Sequence, residues 1–171
     1  VKLGVSEKDI DLDILLQLKK LFDACPDNIG VYYTRTADTN PTLDQRVQLA
    51  NKADADIFIS IHNNSSATGN FTQTSGTQVM YSESDDSELS SKKLAKVCLD
   101  AVSKSFGSYN RGLLAGDSIY IIRTSKVPVA LIEVGFMTNY DELDKLKSPK
   151  YQKKAAQGIY NAIMEAFEEG Y

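Results

Sequence analysis

The chain contains the stretch Asp56-Ile57-Phe58-Ile59-Ser60-Ile61-His62-Asn63-Asn64, in which an apolar run breaks directly into a polar loop. The run is short, β-branched and aromatic, which is typical of a buried strand. Its end delivers His62, the only histidine in the chain, to the edge of a sheet. Because open α/β sheets bind ligands at such edges, His62 is the first candidate for chemistry.

Two carboxylates occupy comparable positions. Glu133 lies inside a second apolar run, Val127–Phe136, where a lone buried carboxylate is costly unless it is paired or bound to a metal. Glu7 follows Ser6 and stands just ahead of an amphipathic helical pattern. One histidine and two carboxylates in such positions together suggest a metal-assisted hydrolase.

Each of the three residues also has a structural interpretation. A histidine at a strand end can be a hydrogen-bonded structural residue rather than a ligand. Glu7 can be an acid that complements the helix dipole behind a Ser6 cap. Glu133 has no ordinary packing role before Gly135 and Phe136, yet both interpretations stay open for it when it is taken alone.

The composition of the chain excludes several classes of protein. With 171 residues, 42% of them hydrophobic, the chain can bury one core and is expected to form a single domain over residues 1–171. The formal net charge of −4 argues against a general nucleic-acid binder, which needs clustered Lys and Arg. Cys25 and Cys98 lie in apolar helical patterns and are expected to be small buried side chains. No apolar run reaches the ~18 residues of a membrane span.

The apolar periodicity predicts that helices and strands alternate along the chain. Helices are expected at Ser6–Ala24, from a capping box at Thr42–Gln45 onward, around Leu94–Val102 as far as Gly107, and at Ala156–Phe167. Strands are expected at Ile29–Tyr33, Asp56–His62, Thr77–Tyr81, Ile119–Ile122 and Val129–Glu133. We therefore expect an α/β fold, a three-layer sandwich with a twisted, mostly parallel central sheet flanked by helices.

Two further segments bear on the predicted site. Residues Ser65–Ser75 are small and polar and are expected to form a loop beside His62. Arg46 is expected to be structural or to orient a substrate, but not to catalyse. An internal ion pair with Asp38 or Asp44 is favoured over a clamp on an acidic substrate group, because paired charges near a core are commoner.

Six segments, in order along the chain, resemble the motifs of one family. They are Glu7-Lys8-Asp9-Ile10, Thr34-Arg35 with Asp38, Arg46 with Ala50-Asn51, Ser60-Ile61-His62-Asn63-Asn64, Asn110-Arg111-Gly112, and Leu131-Ile132-Glu133-Val134-Gly135-Phe136-Met137-Thr138-Asn139. The family is that of the zinc-dependent N-acetylmuramoyl-L-alanine amidases of the bacterial cell wall, the amidase-3 type. Each motif alone is weak evidence for the family, but the occurrence of all six in the same order is specific to it.

The resemblance implies a function and a set of site residues. Glu7 and His62 correspond to Zn²⁺ ligands and Glu133 to the catalytic carboxylate. The substrate implied is peptidoglycan, cut at the amide that joins the lactyl group of N-acetylmuramic acid to L-alanine of the stem peptide. An extracellular or cell-wall location also follows from the resemblance alone, since the first residues do not have the pattern of a signal peptide.

The chain departs from the family at one motif. The family has a further histidine ligand, in a Gly-His-Gly-Gly segment upstream of the glutamate, and this chain has no second histidine. We expect the first strand and its histidine loop to lie before Val1, and residues 1–171 by themselves to bind zinc poorly. The alternative is a non-catalytic peptidoglycan-binding domain of the same fold with a defective metal site.

Overall fold

A four-stranded sheet forms the centre of the computed structural model, which describes residues 1–171. The strands are β1 (Phe58–Asn64), β2 (Thr77–Tyr81), β3 (Asn110–Ala115) and β4 (Val129–Phe136). Their lateral order is β1-β4-β2-β3. The β1–β4 and β2–β3 pairs are parallel and the β2–β4 pair is antiparallel, so the sheet is mostly parallel, as predicted.

Six helices cover the two faces of the sheet. They are α1 (Glu7–Asp23), α2 (Leu43–Lys52), α3 (Ser91–Phe106), α4 (Tyr120–Thr124), α5 (Tyr140–Leu146) and α6 (Pro149–Glu168). Helices α1, α3 and α6 share the larger apolar cluster with one face of the sheet. Helices α2 and α4 share a smaller cluster with the opposite face. The predicted three-layer sandwich is confirmed.

Strand β4 is the most deeply buried element of the sheet. Ala130, Ile132 and Val134 belong to the larger cluster, whereas Val129 and Leu131 belong to the smaller one. This alternation follows from the two-residue period of a strand and explains why the sequence of β4 is apolar almost throughout. Its one residue that is not fully buried is Glu133, near the carboxyl end.

The predicted start of α2 is confirmed in detail. The Thr42 hydroxyl accepts a hydrogen bond from the Gln45 backbone N–H at 3.1 Å, and the Gln45 side chain accepts one from the Thr42 N–H at 2.8 Å. This reciprocal capping box satisfies two amide groups that the first helical turn leaves without partners. Val47 and Ala50 on the inner face are buried, as predicted, whereas Leu43 is exposed.

Two of the predicted strands are wrong. Residues Ile119–Ile122 lie at the start of α4, where Ile121 and Ile122 are buried against the sheet. A short apolar run does not distinguish a strand from a buried helical turn. Residues Ile29–Tyr33 have no regular secondary structure, and none of the four strands of the sheet pairs with them.

An apolar cavity of about 330 Å³ separates these residues from β1. Its lining includes the consecutive residues Ile57–Ile61 on one side and Ile29–Arg35 on the other. Successive side chains of a strand point to opposite faces, so a lining that includes all of them borders the strand along its edge. Strand β1 is an outer strand of the sheet, and the cavity therefore follows its edge that is not paired with β4.

Sequence patterns did not indicate β3 and α5. Strand β3 lies at the other edge of the sheet and is mostly exposed, so it lacks an apolar alternation. Helix α5 has only seven residues, and its start is capped by the Asn139 side chain, which accepts from the Glu142 N–H at 3.1 Å.

Candidate metal centre and active site

The carboxyl ends of β1 and β4 bring His62 and Glu133 together. The two strands are parallel, and these two residues are direct register partners. The amino end of α1 packs at the same edge, which places Glu7 beside His62. All three residues that the sequence singled out thus lie together at the carboxyl ends of β1 and β4.

Glu7 contacts the end of β1 rather than capping its own helix. Its Oε1 lies 3.1 Å from Nδ1 of His62 and accepts a hydrogen bond from the Asn63 backbone N–H at 3.2 Å. The Ser6 side chain makes no capping hydrogen bond to α1. The His62 and Glu7 side chains are 39% and 41% exposed, so both remain accessible to a substrate or ion.

A third carboxylate, Asp11, joins this pair. It follows Glu7 by one helical turn and therefore lies on the same face of α1. Asp11 Oδ1 accepts a hydrogen bond of 2.7 Å from the Asn63 side-chain amide. One ligand atom each from Glu7, Asp11 and His62 lies within 4.8 Å of the other two. None of the sequence motifs singled out Asp11, although its spacing of four residues from Glu7 on a predicted helix places the two side chains on one face.

Burial changes the acidity of the carboxylates. It raises the pKa of Glu133 to about 7, although the charge of His62 acts in the opposite direction. It raises the pKa of Asp11 to about 8, together with the nearby charge of Glu7. Glu133 Oε2 is fully buried and has no hydrogen-bond partner. A carboxylate oxygen in that state indicates an environment that is completed by a water molecule or an ion.

His62 and Glu7 shift in opposite directions. Burial lowers the pKa of His62, but the hydrogen bond to Glu7 and the charges of Asp11 and Glu133 outweigh it, so the pKa is raised. Burial raises the pKa of Glu7, but hydrogen bonds from His62 and Asn63 outweigh it, so the pKa is lowered. Both shifts favour an ion pair in the absence of a metal.

The donor set fits zinc. Imidazole nitrogen and carboxylate oxygen are ordinary ligands of Zn²⁺. Three carboxylates, from Glu7, Asp11 and Glu133, surround a single imidazole, so the edge carries excess negative charge unless a cation or protons compensate it. The residues present could therefore hold a divalent cation.

Polar contacts fix the segment that follows β4. The carboxylate of Glu142 accepts hydrogen bonds from the Gly76 and Phe136 N–H groups at 2.8 and 2.7 Å. The hydroxyl of Thr138 accepts one from the Ser66 N–H at 2.9 Å. The Thr72 N–H donates to the Thr138 carbonyl at 2.8 Å. The loop Ser65–Ser75 is thereby held beside the site, in the place that the sequence indicated.

The ion pair predicted for Arg46 is wrong. Its Nε donates to the Pro41 carbonyl at 3.1 Å, and it forms no salt bridge. Asp38 pairs instead with Lys8 at 2.9 Å, and Asp44 accepts a hydrogen bond from the Tyr120 hydroxyl. Burial lowers the pKa of Arg46, with a further contribution from Arg35.

Comparisons with known proteins agree with the geometry. A family model described as N-acetylmuramoyl-L-alanine amidase matches residues 1–165. The chain is 35% identical to uncharacterized protein YqiI of Bacillus subtilis, over 97% of this chain and 77% of that protein. It is 30% identical to the N-acetylmuramoyl-L-alanine amidase LytC of Bacillus subtilis, over 96% of this chain but only 32% of that protein.

Solved structures show the same fold. An N-acetylmuramoyl-L-alanine amidase from Clostridium difficile 630 superposes with a TM-score of 0.90 at 30% identity, covering 99% of this chain and 88% of that one. The catalytic domain of the amidase CwlV from Bacillus (Paenibacillus) polymyxa gives 0.86 at 31% identity, with coverage of 96% and 87%. The chain therefore belongs to the amidase-3 family of N-acetylmuramoyl-L-alanine amidases.

Proposed function

We propose that this domain hydrolyses the amide between the lactyl group of N-acetylmuramic acid and L-alanine, with Glu7 and His62 as zinc ligands and Glu133 as catalytic base. The main support is the register of β1 and β4, which pairs His62 with a buried carboxylate that has an unsatisfied oxygen. The family hydrolyses peptidoglycan, and the alternative of a non-catalytic wall-binding domain is not favoured.

The spacing of Glu7 and His62 suits a shared ion. Zinc ligands of these types lie ~2.0–2.2 Å from the metal, so two of them in a tetrahedral site are roughly 3.4 Å apart. The observed separation between Nδ1 and Oε1 is 3.1 Å. The Asn63 N–H orients the Glu7 carboxylate from behind, as outer hydrogen bonds commonly do for metal ligands.

Bound zinc would supply Lewis-acid chemistry, lowering the pKa of water and polarising a carbonyl oxygen. Glu133 then accepts a proton from the attacking water as the water oxygen bonds to the lactyl carbonyl carbon. The same carboxyl group passes that proton to the amine nitrogen of L-alanine when the C–N bond breaks. The products are a lactyl carboxylate and a stem peptide with a free amino terminus. A pKa of about 7 suits both proton transfers, because a base is most effective near the working pH.

The cell wall is the place where we propose that the domain acts. Its substrate is insoluble peptidoglycan, and the amidases that it resembles include a cell-wall amidase of Bacillus anthracis. No helix of the domain has the length and apolar character needed to cross a membrane.

The test is release of peptides with amino-terminal L-alanine from purified peptidoglycan. Glu133→Gln should lower the rate by about 10² or more, the range of a general base, while zinc binding is retained. Glu165→Gln, an exposed change on α6, is the matched control and should have no effect. Undiminished turnover by Glu133→Gln would refute the assigned role.

A further inference from the structure

The segment Asn110-Arg111-Gly112 at the start of β3 has no role in the proposed chemistry. The register between β2 and β3 shifts within it, so that Arg111 and Gly112 both lie opposite Gln78. The extra residue is a β-bulge, and Gly112, with φ of 88°, has the left-handed conformation that glycine adopts in many bulges. Bulges change the direction of a neighbouring side chain and are common beside active sites.

The bulge lies in the same row of the sheet as the proposed base. Gln78 is the register partner of Glu133, which in turn pairs with His62. Neighbouring strands lie about 4.8 Å apart, so β3 is roughly 10 Å from β4, with β2 between them. An extended peptide covers about 3.5 Å per residue, so roughly three residues span this distance. A stem peptide that runs across the sheet from Glu133 therefore reaches β3 within its first few residues.

The side chain of Arg111 extends back toward β4. Its Cζ lies 5.1 Å from the centroid of the Phe136 ring, at the end of the strand that holds Glu133. Gly76 leaves room for this path, since a Cβ there would lie 2.7 Å from Arg111 Cγ. Arg111 Nη1 also donates to the Ser75 carbonyl at 3.2 Å. The ring and the carbonyl together hold the guanidinium on the side of β3 that faces the site.

Most of the hydrogen-bonding capacity of this guanidinium is unused. An arginine has five N–H donors, and Arg111 makes one hydrogen bond and no salt bridge. The residue is also exposed. A guanidinium binds a carboxylate through two parallel hydrogen bonds, and one that is already oriented loses little freedom when it does so.

We propose that Arg111 binds a carboxylate of the stem peptide, within the first few residues after L-alanine, and so positions the amide at Glu133. This inference rests on the proposed function and adds a substrate contact to it. The carboxylates of Glu7 and Glu133 repel an acidic peptide, and the charge of Arg111 offsets that repulsion where the peptide leaves the site. A neutral amide forms weaker hydrogen bonds than a carboxylate, so the domain should prefer stem peptides whose carboxylates are free.

Peptide binding to the purified chain tests the proposal without turnover. The two ligands are a synthetic stem peptide with amino-terminal L-alanine and free carboxylates, and the same peptide with its carboxylates amidated. Calorimetry should show that the parent binds the free form about 10-fold more tightly, the lower range for hydrogen bonds between charged groups. Arg111→Gln should lose this preference. Arg111→Lys should keep part of it, because the charge remains without the paired geometry.

Arg123→Gln is the matched control. Arg123 is also exposed, lies 6.0 Å from the centroid of an aromatic ring, and donates to backbone carbonyls. It lines a polar pocket with Val129 at the amino end of β4, which is the opposite end of that strand from the site. The variant should bind both peptides as the parent does.

Kinetics on soluble glycan-linked stem peptides separate binding from chemistry. Arg111→Gln should raise KM about 10-fold for the substrate with free carboxylates and leave kcat unchanged, whereas KM for the amidated substrate should equal that of the parent. Equal binding of the free and amidated peptides by the parent, or an undiminished preference in Arg111→Gln, would overturn the role of Arg111. An inactive parent would instead overturn the proposed function, and the binding preference would still decide the role of Arg111.

Discussion

At the scale of single residues, Glu133 is a carboxylate at a position where packing alone would favour an apolar side chain. Strand β4 is buried on both faces, and its other residues are apolar or glycine. A carboxylate there loses hydration without gaining a hydrogen bond at Oε2, which raises its pKa to about 7. A carboxylate with such a raised pKa, at the end of a sheet where ligands bind, is a candidate for catalysis.

The pKa of Glu133 predicts how activity depends on pH. A general base works only when ionised, and without metal the pKa of Glu133 is about 7, so kcat/KM should rise along an acidic limb and level off once Glu133 is ionised. The positive charge of bound zinc shifts this acidic limb to lower pH. Rates of peptide release between pH 4.5 and pH 8 would measure the limb, and a rate that falls steadily across this range would contradict the assignment.

Arg46 should matter for stability and not for chemistry. Arg46→Ala removes the hydrogen bond from Nε to the Pro41 carbonyl, which lies just before the capping box of α2. We expect a loss of about 1 kcal/mol in the free energy of unfolding. Urea denaturation measures this loss, and kcat and KM of the folded, zinc-loaded variant should equal those of the parent. A raised KM at normal stability would show instead that Arg46 contacts the substrate.

At the scale of elements, the packing of α3 against α6 depends on a glycine. A Cβ at Gly158 of α6 would lie 2.8 Å from Cα of Val102 and 3.0 Å from the Ala101 carbonyl oxygen, both backbone atoms of α3. Backbone atoms cannot move aside as a flexible side chain can, so the absence of a side chain at this position sets how closely the two helices approach.

Gly158→Ala should therefore destabilise the domain. The change favours helix formation by about 1 kcal/mol, but overpacking costs about 1–3 kcal/mol, and we expect the second effect to dominate. The melting temperature should fall by roughly 2–8 °C for a domain of this size. Gly30→Ala is the control, since no atom lies within 4 Å of the added Cβ, and it should cause no loss. A higher melting temperature for Gly158→Ala would contradict the packing argument.

At the scale of the whole molecule, the edge of the sheet that holds the site is also rich in uncompensated charge. Folding buries Asp11 and Glu133 in a region that already contains Glu7, and burial raises the pKa of both groups above their usual values. The native state therefore binds more protons than the unfolded chain between the two sets of pKa values.

Without metal, stability should fall as pH increases from about 5 to 8. A raised pKa stabilises the fold at low pH, and that stability is lost as pH rises through about 7 for Glu133 and about 8 for Asp11. His62, whose pKa is also raised, acts in the same direction. Melting temperatures in a chelator at pH 5.5 and pH 8 measure the trend, and Asp11→Asn should flatten it. A melting temperature that rises over this interval would contradict the prediction.

Much of this architecture could be predicted from local sequence patterns. The apolar run of β4 and the capping box at Thr42 depend on residues close together in the chain, so sequence alone indicated both elements. The polar residues that end β1 and interrupt β4 likewise identified His62 and Glu133. Parallel pairing then brings such strand ends to one edge, so their proximity was predictable once the strands were known.

What only the tertiary structure decided concerns partners that are distant in the chain. Residues Ile29–Tyr33 have the composition of a strand, but a strand needs a neighbour for its backbone groups, and β1 lies across a cavity from them. In the sequence, Asp11 resembles a solvated acid on the surface of a helix. In the fold, its hydrogen bond from the Asn63 side chain places it beside His62. Periodicity is a local property of the sequence and therefore determined the elements. Strand pairing, side-chain burial and the charge around a residue depend on which surfaces come into contact. Only the tertiary structure therefore decided which residues form the site.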